Sequence, residues 1–477
     1  MILASLIILP AIGALAVAIL GRRDARVAHL LALGTALLEG IIAIQATRSL
    51  LAAPDHVLAE RALQAGVWRL SFDGLSAPLV LLTAVLTVVS VLVSLRIARS
   101  PASFLALLLA LEAAVVAVFL AADVVLFYVA WEAVLIPMFF LIGIWGHERR
   151  KHAAMKFFLY TFAGSALMLA GLIIAATASG GTAFATVIGH VPAGVEPAVL
   201  GLLLAGFLVK IPAWPLHTWL PDAHVEAPTA GSIMLAGVLL KMGGYGLMRL
   251  AIPVAPHAFE RTAWLLAALG AIGIVYGALM ALAQKDLKRL VAYSSVSHMG
   301  FVLVALSTGS ALGASAAMLV MVSHGLVAGL LFLLVGALQD RTSTRAIADL
   351  GGLGTSMPAW ATAFTFAALA GLGLPGLSGF PGEFATVLSS WSALPWAAVL
   401  AAFGALLAAA YSLRAVAGVA WGPLPTRWTG LSDIRPDEAL AVGTLGVAIV
   451  ALGVAPGLLV SLAEPAIRTM LAAFGGG

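Results

Sequence analysis

The chain has 477 residues, of which 62% are apolar and 10% are Asp, Glu, Lys or Arg, with no Cys and a formal net charge of +4. Soluble domains carry about 25% charged residues, so this composition excludes an ordinary water-soluble protein. The lack of Cys excludes disulfides, thiolate zinc sites, cysteine-ligated iron–sulfur clusters and cysteine nucleophiles in the chain.

The positive balance does not point to nucleic acid. The basic residues fall in short gaps between apolar runs, which is where a membrane protein keeps its Lys and Arg. No basic residue precedes the first apolar run, 3–20, and Arg22, Arg23 and Arg26 follow it, the reverse of a cleavable signal peptide. It reads as a retained first span. Runs long enough to cross the hydrocarbon layer then recur to the end of the chain, giving about fourteen spans. They cover 3–20, 27–46, 75–95, 104–122, 124–144, 157–176, 198–220, 231–250, 263–283, 290–306, 312–338, 359–388, 396–421 and 440–460. The expected fold is an all-α polytopic membrane protein, with residues 1–477 forming a single transmembrane domain. Placing the N-terminus outside puts sixteen of the 25 Lys and Arg in inner loops and six outside, which orients both termini outward.

Two spans are interrupted. The seventh contains Lys210, Pro212, Pro215 and Pro221; the twelfth carries Gly371, Gly373, Pro375, Gly376, Gly379, Pro381 and Gly382 around Glu383. Proline removes a donor and clashes with the preceding turn, so the freed carbonyls need protein or water partners inside the membrane. The interruptions lie five spans apart, an odd number, and so enter the membrane from opposite sides. Spans four to eight (102–250) and nine to thirteen (263–421) are therefore expected to form two inverted five-helix repeats, with helices 7 and 12 discontinuous.

An ionised side chain in mid-membrane costs roughly 2.5 to 3.5 kcal/mol, so lone charges in these spans need a reason. Glu132 follows Asp123 by nine residues, about 13 Å of helix rise. Lys210 and Lys241 lie deep in spans seven and eight, and Glu383 follows the twelfth-span break. A structural ion pair between Glu132 and Lys210 would explain a pair. It does not explain the row that continues through Lys241, His298 (in SSVSHMG), His324 (in MVSHGL) and Glu383. Lys, His and Glu in sequence are what a proton relay requires, because imidazole passes a proton between its nitrogens and a lysine's hold on its proton follows its neighbours. Glu112, His217 and His224 form a second tier. Asp222, His224 and Glu226 are expected in a solvated loop at the inner mouth of span seven. Arg414 is expected to pair with a carboxylate of this chain or a neighbour, Asp73 and Lys156 to be interfacial, and Trp131, Trp214 and Trp219 to be packing or belt residues rather than electron carriers. No spacing suggests a metal cage or a haem site.

The segments VLFYVAWEAVLIPMFFLIGIWG, KIPAWPLHTWLPDAHVEAPTAGSIMLAGVLLKMGGYGLMR, AQKDLKRLVAYSSVSHMGFV and GLPGLSGFPGEF resemble the antiporter-like membrane subunits of respiratory complex I, NADH-quinone oxidoreductase, over nearly the whole chain. PLHTWLPDAHVEAPTAGS and Glu383 are similar to the M type (chain 4), since the L and N types and the multisubunit cation/proton antiporters usually carry Lys at that point. The resemblance implies proton translocation in a bacterial inner membrane, with Glu132 paired to Lys210 and a path through Lys241, His298 and His324 to Glu383. It also implies L-type and N-type neighbours, no cofactor in this chain, and flavin, iron–sulfur clusters and quinone in partner subunits. A sodium/proton antiporter subunit is the alternative; a structural membrane spacer is a third reading.

Overall fold

The computed structural model describes residues 2–61 and 68–474. Eleven helices among these are long and apolar enough to cross a membrane. Helix is forced by the solvent: hydrocarbon offers no partner for a backbone amide, so each segment must bond within itself.

The helices run α1 (Ile2–Leu20), α2 (Ala25–Ala52), α3 (Ala77–Val93), α4 (Pro101–Leu120), α5 (Val124–Trp145) and α6 (Arg150–Ser179). Next come α7 (Glu196–Lys210), α8 (Trp219–Glu226), α9 (Thr229–Val254), α10 (Pro256–Ala283), α11 (Leu287–Ser307) and α12 (Ala311–Thr342). The chain ends with α13 (Pro358–Gly371), α14 (Gly379–Ala393), α15 (Pro395–Ala420), α16 (Pro436–Val454) and α17 (Gly457–Ala472). A hairpin of β1 (Val57–Arg61) and β2 (Arg69–Asp73) joins α2 to α3, with Leu58 opposite Phe72. The Glu60 carboxylate on β1 accepts from the amides of Leu3 and Ala4 at 3.1 and 3.2 Å, capping α1.

Both expected interruptions are present. α7 stops at Lys210 and α8 starts at Trp219; α13 stops at Gly371 and α14 starts at Gly379. The carbonyls freed by Pro212 and its neighbours find protein partners, since Ala213 N donates to Leu208 O at 2.9 Å and the Trp219 indole donates to Val209 O at 3.0 Å. In α5, Pro137 has no amide to give the Ala133 carbonyl, and the helix hitches at Val134, two residues past Glu132.

Three expectations are corrected. Residues 219–226 form helix α8 rather than a solvated loop: His224 is wholly buried and Glu226 nearly so, because the prolines that end α7 turn the chain back into the protein. Asp73 is buried rather than interfacial, where Arg249 bonds it at 2.5 Å. The last apolar run divides near Pro456 into α16 and the separate α17.

α9, α11 and α12 are almost wholly enclosed, whereas α1 and α16 expose most of their apolar surface. Two loops repeat one pattern. Asp123 caps α5 and bridges Ala183, while Asp286 caps α11 and bridges Ala346. In the first loop Val124 N donates to Thr182 O at 2.9 Å and Phe184 N to Ala122 O at 3.0 Å. In the second, Leu287 N donates to Arg345 O at 3.0 Å and Ile347 N to Lys285 O at 2.9 Å.

Candidate functional site

The buried ionisable groups fall into two sets. The first surrounds the α7 break. Lys210, the last residue of α7, is 1% exposed, and its ammonium has no hydrogen-bond partner among the described residues. It lies 5.5 Å from the Trp131 ring and 5.7 Å from the Phe157 ring, a cation–π seat. Glu132 is next to Trp131 in α5, and its Oε1 is buried and unpartnered. The direct Glu132–Lys210 ion pair expected from the resemblance is therefore not formed. The two groups are near enough to interact electrostatically, and aromatic rings occupy the place of a bonded carboxylate.

Below the break, His217 packs edge-on to Tyr276 with ring centroids 5.1 Å apart. Asp222 of α8 takes Lys156 at 2.7 Å and Arg289 at 3.0 Å. The carbonyls ending α8 are covered by cations: Lys288 donates to Ala227 O at 2.5 Å and Arg345 to Val225 O at 2.9 Å. His224 stacks on Phe332 with centroids 4.5 Å apart, and neither ring nitrogen has a partner among the described residues. In the adjoining loop, burial first, and then Lys288 and Arg345, push His147 down to about 4.

The second set gathers around one small cavity, in two bonded pairs. Segments Leu235–Leu239 and Leu247–Ala251 of α9 are π-helical, a form that widens a helix and often marks functional positions. Just past the first of these, the Lys241 ammonium donates to Ala236 O at 2.6 Å and meets His324 Nδ1 at 2.6 Å. The His324 ring lies 5.6 Å from that of His298, centroid to centroid. His298 Nδ1 meets Glu383 Oε1 at 3.0 Å, and its Nε2 lies 3.3 Å from the Tyr411 hydroxyl. A cavity of about 30 Å³ is lined by His298, His324, Glu383, Ser294, Ser323 and Tyr411. That is room for about two waters, with polar partners to hold them.

Glycines set these distances. A Cβ on Gly243 would lie 2.7 Å from Ile211 N, so only glycine lets α9, two residues beyond Lys241, touch the end of α7 beside Lys210. Gly373, at φ +78, faces Glu383 so closely that a Cβ would sit 2.9 Å from Oε2.

The residues singled out from sequence thus divide in two. Lys241, His324, His298 and Glu383 gather at one cavity, whereas Glu132, Lys210, His217 and His224 lie around α7 and α8 without direct bonds to them. Glu112 stands apart, wholly buried, facing Glu39 of α2, which sequence reading passed over. The one available signal was a single acid in an otherwise apolar run. Tyr411 was also missed; nothing in its surroundings on α15 distinguishes it. Arg414 is exposed on α15 and has no carboxylate partner among the described residues.

Comparison with known proteins follows the same lines. Residues 121–408 match the family model described as NADH:quinone oxidoreductase/Mrp antiporter, TM. The chain is 42% identical to NADH-quinone oxidoreductase subunit M of Rhodobacter capsulatus over 419 residues, covering 85% of this chain and 82% of that one. It superposes on a chain of respiratory complex I from Thermus thermophilus with TM-score 0.90 and 32% identity, covering 100% of both chains. A chain of the Mrp complex from Dietzia has the same fold, with TM-score 0.88 at 21% identity and 99% coverage of both. The chain is a multi-pass membrane protein and belongs to the NADH:quinone oxidoreductase/Mrp antiporter family of membrane subunits.

Proposed function

We propose that the chain is the M-type proton-translocating subunit of an NADH-quinone oxidoreductase in a bacterial inner membrane. The observation that carries this is the pair of contacts Lys241–His324 and His298–Glu383, whose imidazoles face each other across 5.6 Å and line one water-sized cavity. In this reading the chain crosses the membrane fourteen times with both ends outside, and 102–250 and 263–421 are inverted repeats. The matched Asp123–Ala183 and Asp286–Ala346 bridges, each spanning 60 positions before an interrupted span, support the repeats.

A proton enters from the cytoplasmic face past His217 and His224 to Lys210, with Glu132 as its electrostatic partner. It crosses by water to Lys241, passes to His324 and His298, and leaves near Glu383. Each imidazole receives a proton at one nitrogen and releases one from the other. The Trp131 and Phe157 rings stabilise the charged ammonium without accepting its proton, so moving Glu132 toward or away from Lys210 changes how firmly that proton is held.

Moving one proton against about 150 mV costs roughly 3.5 kcal/mol. In this reading that energy comes from redox chemistry at flavin, iron–sulfur and quinone sites in partner subunits, and the neighbours in the membrane are the L-type and N-type subunits. The identity to subunit M and Glu383 both favour this over a sodium/proton antiporter subunit. The test is E132Q or K210A in fully assembled complex: pumping should be lost while assembly is kept, and wild-type pumping by either would refute the reading.

A further inference from the structure

Glu39 and Glu112 take no part in the path above. Both are 0% exposed, one in α2 and one in α4, and they face each other with Thr87 of α3 beside them. No cation pairs with either carboxyl among the described residues. Two facing carboxyls in a low-dielectric interior, with no cation beside them, form a place where one proton can be shared between acceptor oxygens.

A second observation gives that proton a route. Thr83, Thr87, Ser90 and Ser94 recur at spacings of four, three and four along α3, and all four are at most 1% exposed. That spacing puts the hydroxyls in one stripe. The Ser90 hydroxyl, next to Thr87 in the stripe, is buried with no partner among the described residues. Farther along, Ser94 Oγ donates to Ser90 O at 2.6 Å, and His29 Nε2 lies 3.1 Å from Ser94 O. His29 is in the first turns of α2 and Ser94 follows the end of α3, so the stripe begins where these helices meet the membrane face, the cytoplasmic one in the orientation proposed above. One turn inward of Ser90, Thr87 Oγ1 reaches 4.0 Å from Met234 Sδ of α9, the helix that carries Lys241.

We propose that Glu39 and Glu112 form a proton-loading site, supplied from the cytoplasmic face along His29, Ser94, Ser90 and Thr87, that feeds α9 as a second inlet. Loading forms an O–H bond on one carboxyl oxygen and unloading breaks it; the proton comes from the aqueous phase and no electrons move. The inlet rests on the proton-translocating reading. It lies outside residues 121–408, the segment matched by the family model.

The test uses assembled complex carrying E39Q/E112Q, with E132Q as reference. The Gln pair keeps size and hydrogen bonding but cannot load a proton. Infrared difference spectra should lose the protonated-carboxyl stretch, and pumping should fall several-fold with electron transfer kept. A purely structural role predicts normal pumping. Should the double variant not assemble, E39Q, E112Q and S90A singly are each expected to slow pumping. Wild-type pumping in the assembled double variant, or in all three single variants, would overturn the inlet. If E132Q and K210A also pumped normally, the translocating reading itself would fail.

Discussion

Gly373→Ala tests whether the position of Glu383, and not merely its presence, matters. Gly373 has φ +78, where a side chain costs roughly 1–2 kcal/mol, and its new Cβ would meet Glu383 Oε2 at 2.9 Å. Ordinary contact begins near 3.4 Å, so the carboxylate must withdraw by about half an ångström. That would stretch its 3.0 Å contact with His298 to the limit of hydrogen bonding. A bond to a charged group is worth about 1.5–3 kcal/mol, so proton transfer through this step should slow about tenfold or more. Gly376→Ala is the control: at φ +90 it carries comparable backbone strain, but nothing lies within 4 Å of its Cβ. Both variants should lower the thermal stability of the complex, and only Gly373→Ala should lower pumping by membrane vesicles. Equal pumping by the two would refute the argument.

Further outcomes follow from the same geometry. Trp219→Phe removes the donor to Val209 O and should cost about 1 kcal/mol, read as a lower unfolding temperature. Arg249→Ala leaves Asp73 buried without its cation and should cost about 3–5 kcal/mol, most of it recovered in the Asp73→Asn/Arg249→Ala double variant; equal stability of the single and double variants would contradict the ion-pair account. His147 is held down to about 4 in the folded protein, below the ordinary value near 6.5. The unfolded chain therefore binds more protons between those values. The His147 contribution to stability is fully present above about 6.5 and is lost as pH falls toward 4. His147→Gln should flatten thermal-inactivation midpoints across that window.

How much of this could be read from the residues depends on what each feature requires. The interrupted helices were visible because Pro and Gly act locally on the backbone, and the buried charges because any charge in an apolar run is conspicuous. The junction of Lys241 with His324 was not visible, because 83 positions separate them and only packing brings them to 2.6 Å. Residues 219–226 were misread because polar residues after prolines look like a loop; what buries them is the body of the protein, not their own pattern. The Lys210 seat was misjudged for a related reason. Trp131 looks like a packing residue until its ring is found under the ammonium. Glu39 gives the same lesson, since its significance comes from Glu112, two helices away.

The most direct test of the central claim is the ratio of protons pumped to electrons transferred by assembled complex in proteoliposomes, with His298 and His324 both changed to Asn. These substitutions keep polarity but remove the two-nitrogen hand-over. The account predicts a lower ratio with electron transfer still running; an unchanged ratio would contradict it.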